Sequence, residues 1–163
     1  TFAADRSAAG ATATALLREV LDRIGVRPPS RRPEVYLYGQ SLGAVGADAA
    51  REWADRWRTG ALTETTLVGV PGDTVATLAG AGSRRVIVAN DSDPIPRWSL
   101  STLWRAPRRP ADTRVVGHHP PQPLWLPVIG FLQTSVDLLG SLDGAPGVGH
   151  RYGPEQTTGS PSS

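Results

Sequence analysis

Apolar residues recur at Leu16, Leu17, Val20, Leu21 and Ile24, a spacing that predicts one helical stripe over Thr12–Ile24, closed by Gly25. Prolines at 28, 29 and 33 then mark a loop. The run VYLY, Val35–Tyr38, has no polar alternation and predicts a short strand buried on both faces. Gly43–Arg58 reads as a helix that begins with small residues and ends on Trp53 and Trp57, one turn apart. The alternation then repeats. Thr65–Val70 is strand-like and is stopped by Pro71-Gly72, after which Asp73 can cap a short helix through Leu78. Arg84–Asn90 is a third strand, Pro96–Trp104 a short helix, and Thr113–Gly117 a fourth strand. Val128–Leu142 is an amphipathic helix anchored by Phe131, Leu132, Leu138 and Leu139. Buried strands alternating with helices predict an α/β fold, a parallel sheet flanked by helices on both faces. The domain is expected over residues 1–153, with 154–163 a disordered tail.

Composition narrows the chemistry more than the architecture. The 163 residues suit one domain, and all 17 basic residues are arginine. Without lysine there is no Schiff base, no Walker-type phosphate lysine and no Ser-Lys dyad. Without cysteine there is no disulfide, thiolate metal site or cysteine nucleophile. A net charge of +2 gives no ground for a nucleic-acid partner. The local cluster Arg105–Arg114 reads as a solvated loop, or as a surface that meets anionic headgroups. The longest apolar run, Leu124–Leu132, is far short of the roughly 20 residues a membrane span needs.

The chemistry centres on Gly39-Gln40-Ser41-Leu42-Gly43, a G-x-S-x-G at a predicted strand-to-helix junction. A serine there sits on a sharp turn that lifts its hydroxyl clear of the sheet. Glycine is expected on both sides because a side chain at either position would strike the neighbouring strand or helix. The Leu42 amide, at the helix start, is the expected oxyanion donor.

A serine hydroxyl needs a base. Of His118, His119 and His150, the last lies in the glycine-rich loop GVGHRYG and best fits the order serine, acid, histidine. The acid that orients the imidazole is sought at the carboxyl end of a strand. Asp73, Asp91 and Asp93 all qualify; Asp93, directly before Pro94, is preferred, with Asp91 as its alternate.

YLYGQSLGAVGADAA, RRVIVANDSDPIPRWSLSTLW and LWLPVIGFLQTSVDLLGSLDGAPGVGHRYG together resemble the C-terminal part of an actinobacterial α/β-hydrolase family. Its members join an N-terminal membrane-embedded region to a hydrolase domain. The resemblance spans about Glu34–Gly153 and is most specific at Ser92–Trp98 and Gly147–Tyr152. It implies Ser41 as nucleophile, Asp93 as acid and His150 as base. The family often carries a histidine two places before the catalytic one, where this chain has Val148. It also implies earlier strands, whose loop would supply a second oxyanion donor, so the chain is expected to be a C-terminal portion of a longer fold.

The expected function is a serine hydrolase acting on an ester or thioester through an acyl-enzyme, with no cofactor. Membrane association is expected to come through a region outside this chain. The rival is a non-catalytic α/β module that packs or binds a partner.

Overall fold

The computed structural model describes residues 2–72, 82–90, 93–94, 110 and 112–116. Its elements are helix α1 (Phe2–Gly25), strand β1 (Tyr36–Gln40), helix α2 (Leu42–Trp57) and strands β2 (Glu64–Val68), β3 (Arg84–Asn90) and β4 (Thr113–Val116). The strands form one parallel sheet in the order β1-β2-β3-β4. Parallel neighbours cannot be joined by a tight turn, and α2 is the crossover between β1 and β2. The predicted helices at 73–78, 96–104 and 128–142, and the tail, lie outside the described residues. By its contacts the chain divides into two compact units, Thr1–Leu67 with Ala79–Val86, and Val68–Leu78 with Ile87–Ser163.

In the first unit, α1 and α2 pack on each other and enclose a core of Leu17, Leu21, Ala50, Ala54 and Leu62. Val35 and Leu37 lie against that core from the β1 side. Burying a leucine such as Leu17 contributes roughly 1.5–3 kcal/mol. Three expectations change here. The first helix begins at Phe2 rather than Thr12, because its leading half meets α2 through small residues instead of a large apolar stripe. A Cβ on Gly46 would stand 2.9 Å from the Ala9 carbonyl oxygen and 3.3 Å from the Ala13 Cβ. Contacts of that kind leave no leucine periodicity to read. Leu16, placed on the buried stripe, is instead 65% exposed. The stripe is narrower than predicted, centred on Leu17 and Leu21.

The third correction concerns β1. VYLY was expected to be buried on both faces, yet Tyr36 and Tyr38 are 63% and 52% exposed. Successive side chains of a strand point to opposite faces, so Val35 and Leu37 take the helix side and the tyrosines the other. Each phenol reaches along its own strand: the Tyr36 hydroxyl donates to Glu34 Oε2 at 2.7 Å, and that of Tyr38 to Gln40 Oε1 at 3.2 Å. The Glu34 carboxylate, by that hydrogen bond and its charge, raises the Tyr36 pKa above the ordinary phenol value; burial raises that of Tyr38.

In the second unit, Ile87, Val88, Ala89 and Asn90 are all buried, as befits a parallel strand covered on both faces. They pair in register with β4, Ile87 opposite Thr113 and Asn90 opposite Val116. The Gly69 amide donates to the Val88 carbonyl at 3.0 Å. β3 keeps the bounds its sequence predicts.

Candidate active site

Ser41 joins β1 to α2 with φ 55° and ψ −123°. It is the one non-glycine residue with positive φ among the described residues. A side chain in so sparsely populated a region costs about 1–3 kcal/mol. The strain is forced by the short passage from strand to helix. Gly39 shows how tight that passage is: a Cβ there would run into the Gly43 carbonyl oxygen and lie 2.8 Å from both Ala44 Cα and Ala47 Cβ. Ala44 and Ala47 are themselves buried, so the small-residue start of α2 is what lets the helix sit close against the strand.

Gly43 behaves differently from expectation. A Cβ at that position meets nothing within 4 Å among the described residues, and the residue is exposed. Among the described residues, only the strand-side glycine meets a steric limit there; the helix-side one lies on the first turn of α2.

Serine at a helix start ordinarily caps it with its hydroxyl, but Ser41 makes no side-chain cap. Its carbonyl takes the Ala44 amide at 3.0 Å, closing the first turn. Leu42 opens the helix, where amides have no intrahelical acceptor and the helix dipole favours negative charge. A hydroxyl on a strained turn can act as a nucleophile, and the amide beside it as an oxyanion donor.

Asp93 follows the carboxyl end of β3, its amide donating to the Asn90 carbonyl at 3.0 Å. It is 1% exposed, and Asn90 and Pro94 beside it are buried too. A carboxylate so enclosed must be held by hydrogen bonds or charge. Asp73, Asp91, His118, His119 and His150 lie outside the described residues. No group of three or more His, Cys, Asp or Glu side chains able to hold a metal occurs among the described residues.

The sequence reading passes over a buried charge network on the helix that follows Ser41. Arg51 Nε donates to Asp48 Oδ1 at 2.9 Å, and its Nη1 to Asp55 Oδ2 at 3.1 Å. Asp55 Oδ1 accepts the Ser83 amide at 3.0 Å, and Arg85 Nη1 stands 3.8 Å from Asp48 Oδ1. Two cations and two anions thus tie α2 to the start of β3. Their spacing within DAAREWAD, Asp48 to Asp55, reads as a solvated helix face in the sequence. Only the distant arrival of Ser83 and Arg85 shows otherwise.

A parallel sheet whose strand turns into a helix through a strained serine defines a hydrolase-type α/β scaffold. The chain belongs to an α/β-hydrolase family, whose sequence profile matches residues 1–79 and 73–160. No curated protein and no solved structure matches the chain. Among the described residues, no helix is long and apolar enough to cross a membrane.

Proposed function

We propose that this chain is the catalytic part of a serine hydrolase that cleaves an ester or thioester, with Ser41, Asp93 and His150 converging at the carboxyl edge of the sheet. The observation that carries the reading is the backbone of Ser41, strained at φ 55° where β1 turns into α2. In the proposed reaction His150 takes the Ser41 proton as Oγ attacks the substrate carbonyl carbon. The Leu42 amide binds the resulting oxyanion, and Asp93 steadies the imidazolium. His150 then passes the proton to the departing alcohol or thiol, leaving an acyl-serine. Water, deprotonated by His150, attacks that ester, and the proton returns to Ser41 as the acid is released. Resemblance to actinobacterial hydrolases with a membrane region supports a lipid ester, met at a membrane surface, as the substrate class.

Labelling with a fluorophosphonate tests the reading. Covalent modification of the wild-type chain, absent in Ser41→Ala, is expected. A competing reading, a non-catalytic α/β module, draws on the exposed Tyr36 and Tyr38 face of β1, open to a binding partner. It predicts that the wild type stays unlabelled while folding normally.

A further inference from the structure

β1 stands at one end of the sheet order, and among the described residues no strand pairs with its outer edge. The Val35 carbonyl accepts the Thr63 amide at 2.8 Å, so Val35 turns its main chain toward β2. In an extended strand the N–H and C=O of one residue point to one side and those of the next to the other. Tyr36, Tyr38 and Gln40 therefore turn their main-chain groups to the open edge, and so does Glu34 just before the strand. Edge strands are ordinarily blunted by a proline, a charged side chain or a bulge. Tyr36–Gln40 contains neither proline nor charge. It carries instead two tyrosines, 63% and 52% exposed.

The stretch from Glu34 to Gln40 is bounded by Pro33 and by the positive-φ turn at Ser41, which makes Leu37 its midpoint. Laid antiparallel against a second copy about that midpoint, the stretch is self-complementary. Tyr36 meets Tyr38 of the partner subunit, Glu34 meets Gln40 of the partner subunit, and Leu37 meets its own copy. Glu34, Tyr36, Tyr38 and Gln40 then all fall on hydrogen-bonded pairs, which exchange two bonds each and give about eight main-chain bonds. The side chains match as well. Gln40 Oε1 takes the Tyr38 hydroxyl at 3.2 Å, which leaves its amide N–H groups to donate to Glu34 of the partner subunit. Glu34 accepts the Tyr36 hydroxyl at Oε2, and a carboxylate keeps acceptor capacity beyond that one bond. Moving the centre to Tyr36 or Tyr38 runs the paired strands past Pro33 or Ser41 and loses the match of Glu34 with Gln40.

We propose that β1 is a dimerisation edge: two copies of this chain pair antiparallel through Glu34–Gln40, joining their sheets across a two-fold axis at Leu37. Cross-strand tyrosine pairs add to the main-chain bonds. A strand pair of this length buries less than a standard interface of about 800 Å² per partner, so dissociation in the micromolar range is expected. The pairing does not use the Ser41 hydroxyl, and Ser41→Ala leaves it intact.

Sedimentation equilibrium of the 163-residue chain from about 1 to 200 μM should show the mass rising from one chain to two. Tyr36→Lys with Tyr38→Lys sets like charges opposite each other across the axis and should weaken association at least about tenfold. Tyr36→Lys with Tyr38→Glu changes the same exposed positions but sets opposite charges together in this register, and should retain the dimer. Circular dichroism checks that both variants stay folded. Hydrogen exchange needs no variant: the Tyr36, Tyr38 and Gln40 amides should be protected in concentrated wild type and exchange freely on dilution. A wild type that stays monomeric over this range overturns the proposal. Protection of those amides in such a monomer would put another strand of the same chain on the edge. A dimer that the lysine pair leaves as tight as wild type overturns it as well, by placing the contact elsewhere. Equal loss in the two double variants overturns the register, and with it the pairing about Leu37.

Discussion

A Cβ built on Gly39 would lie 2.8 Å from the Ala47 Cβ, so the strand entering the serine turn and the helix leaving it are in contact with no room between them. The partner atoms include backbone, which cannot swing aside. Gly39→Ala is therefore expected to destabilise the fold by about 1–3 kcal/mol or more, read as a lower urea midpoint. Gly43→Ala, on the first turn of a helix and clear of the described residues, should be neutral or stabilising by up to about 1 kcal/mol. Equal losses at the two glycines would contradict the asymmetry.

That asymmetry also marks how far sequence carries. Gly-x-Ser-x-Gly announces the turn, because few other reasons place a serine between glycines at the end of a strand. It does not say which glycine is crowded, since that depends on where Ala44 and Ala47 come to lie. β3 was legible because Val86, Ile87 and Val88 leave no other reading. The first half of α1 was not, because Ala9, Gly10 and Ala13 pack by closeness of backbones rather than by large side chains. The exposed face of β1 was hidden for a related reason: tyrosine suits both a buried strand and a half-open one, and only the sheet's layering decides.

The buried network on α2 gives the second prediction. Asp48 faces both Arg51 and Arg85 in a region closed to water. Asp48→Ala removes the buried carboxylate that Arg51 and Arg85 share and should cost about 3–5 kcal/mol. Arg23→Ala breaks only the exposed pair with Glu19 and should change stability by less than about 1 kcal/mol. Chemical denaturation of the two variants measures the contrast, and similar small losses would show that the network contributes no more than a surface pair.

Alkaline titration checks the tyrosines. The Tyr36 phenol donates to Glu34, and that acceptor favours the protonated form, so its folded pKa lies above the unfolded one. A group shifted in that direction stabilises the fold fully below the unfolded phenol pKa of about 10, and the contribution is lost as pH rises through the folded value. Ultraviolet absorbance should show a phenolate that forms later than in free tyrosine. Glu34→Gln should move it earlier; an unchanged curve would count against the hydrogen bond.

Strain at Ser41 makes stability and chemistry opposed at one residue. Glycine occupies positive φ without a Cβ penalty, so Ser41→Gly should raise stability by about 1–2 kcal/mol while abolishing fluorophosphonate labelling. Ser41→Ala should lose labelling without that gain, since alanine keeps the Cβ. Thermal unfolding of the pair separates the effects. If both variants unfold with the wild type, the turn stores no strain worth relieving.

The choice of base can be tested without knowing the substrate. A serine hydroxyl reacts with a fluorophosphonate only when its proton is taken, so the labelling rate reports the histidine that serves it. Removing a general base typically costs about 100- to 10,000-fold. His150→Ala should slow labelling of Ser41 by that order, whereas His118→Ala and His119→Ala should leave it near the wild-type rate. Asp93→Asn should slow it as well, by leaving the imidazole unoriented and its charged form unsupported, and more than Asp91→Asn does. Each variant is compared at matched folded fraction, measured by circular dichroism, because Asp93 is buried and its loss also bears on stability. Rapid labelling in His150→Ala with slow labelling in His118→Ala or His119→Ala would move the base to the segment after β4, and with it the geometry proposed for the site.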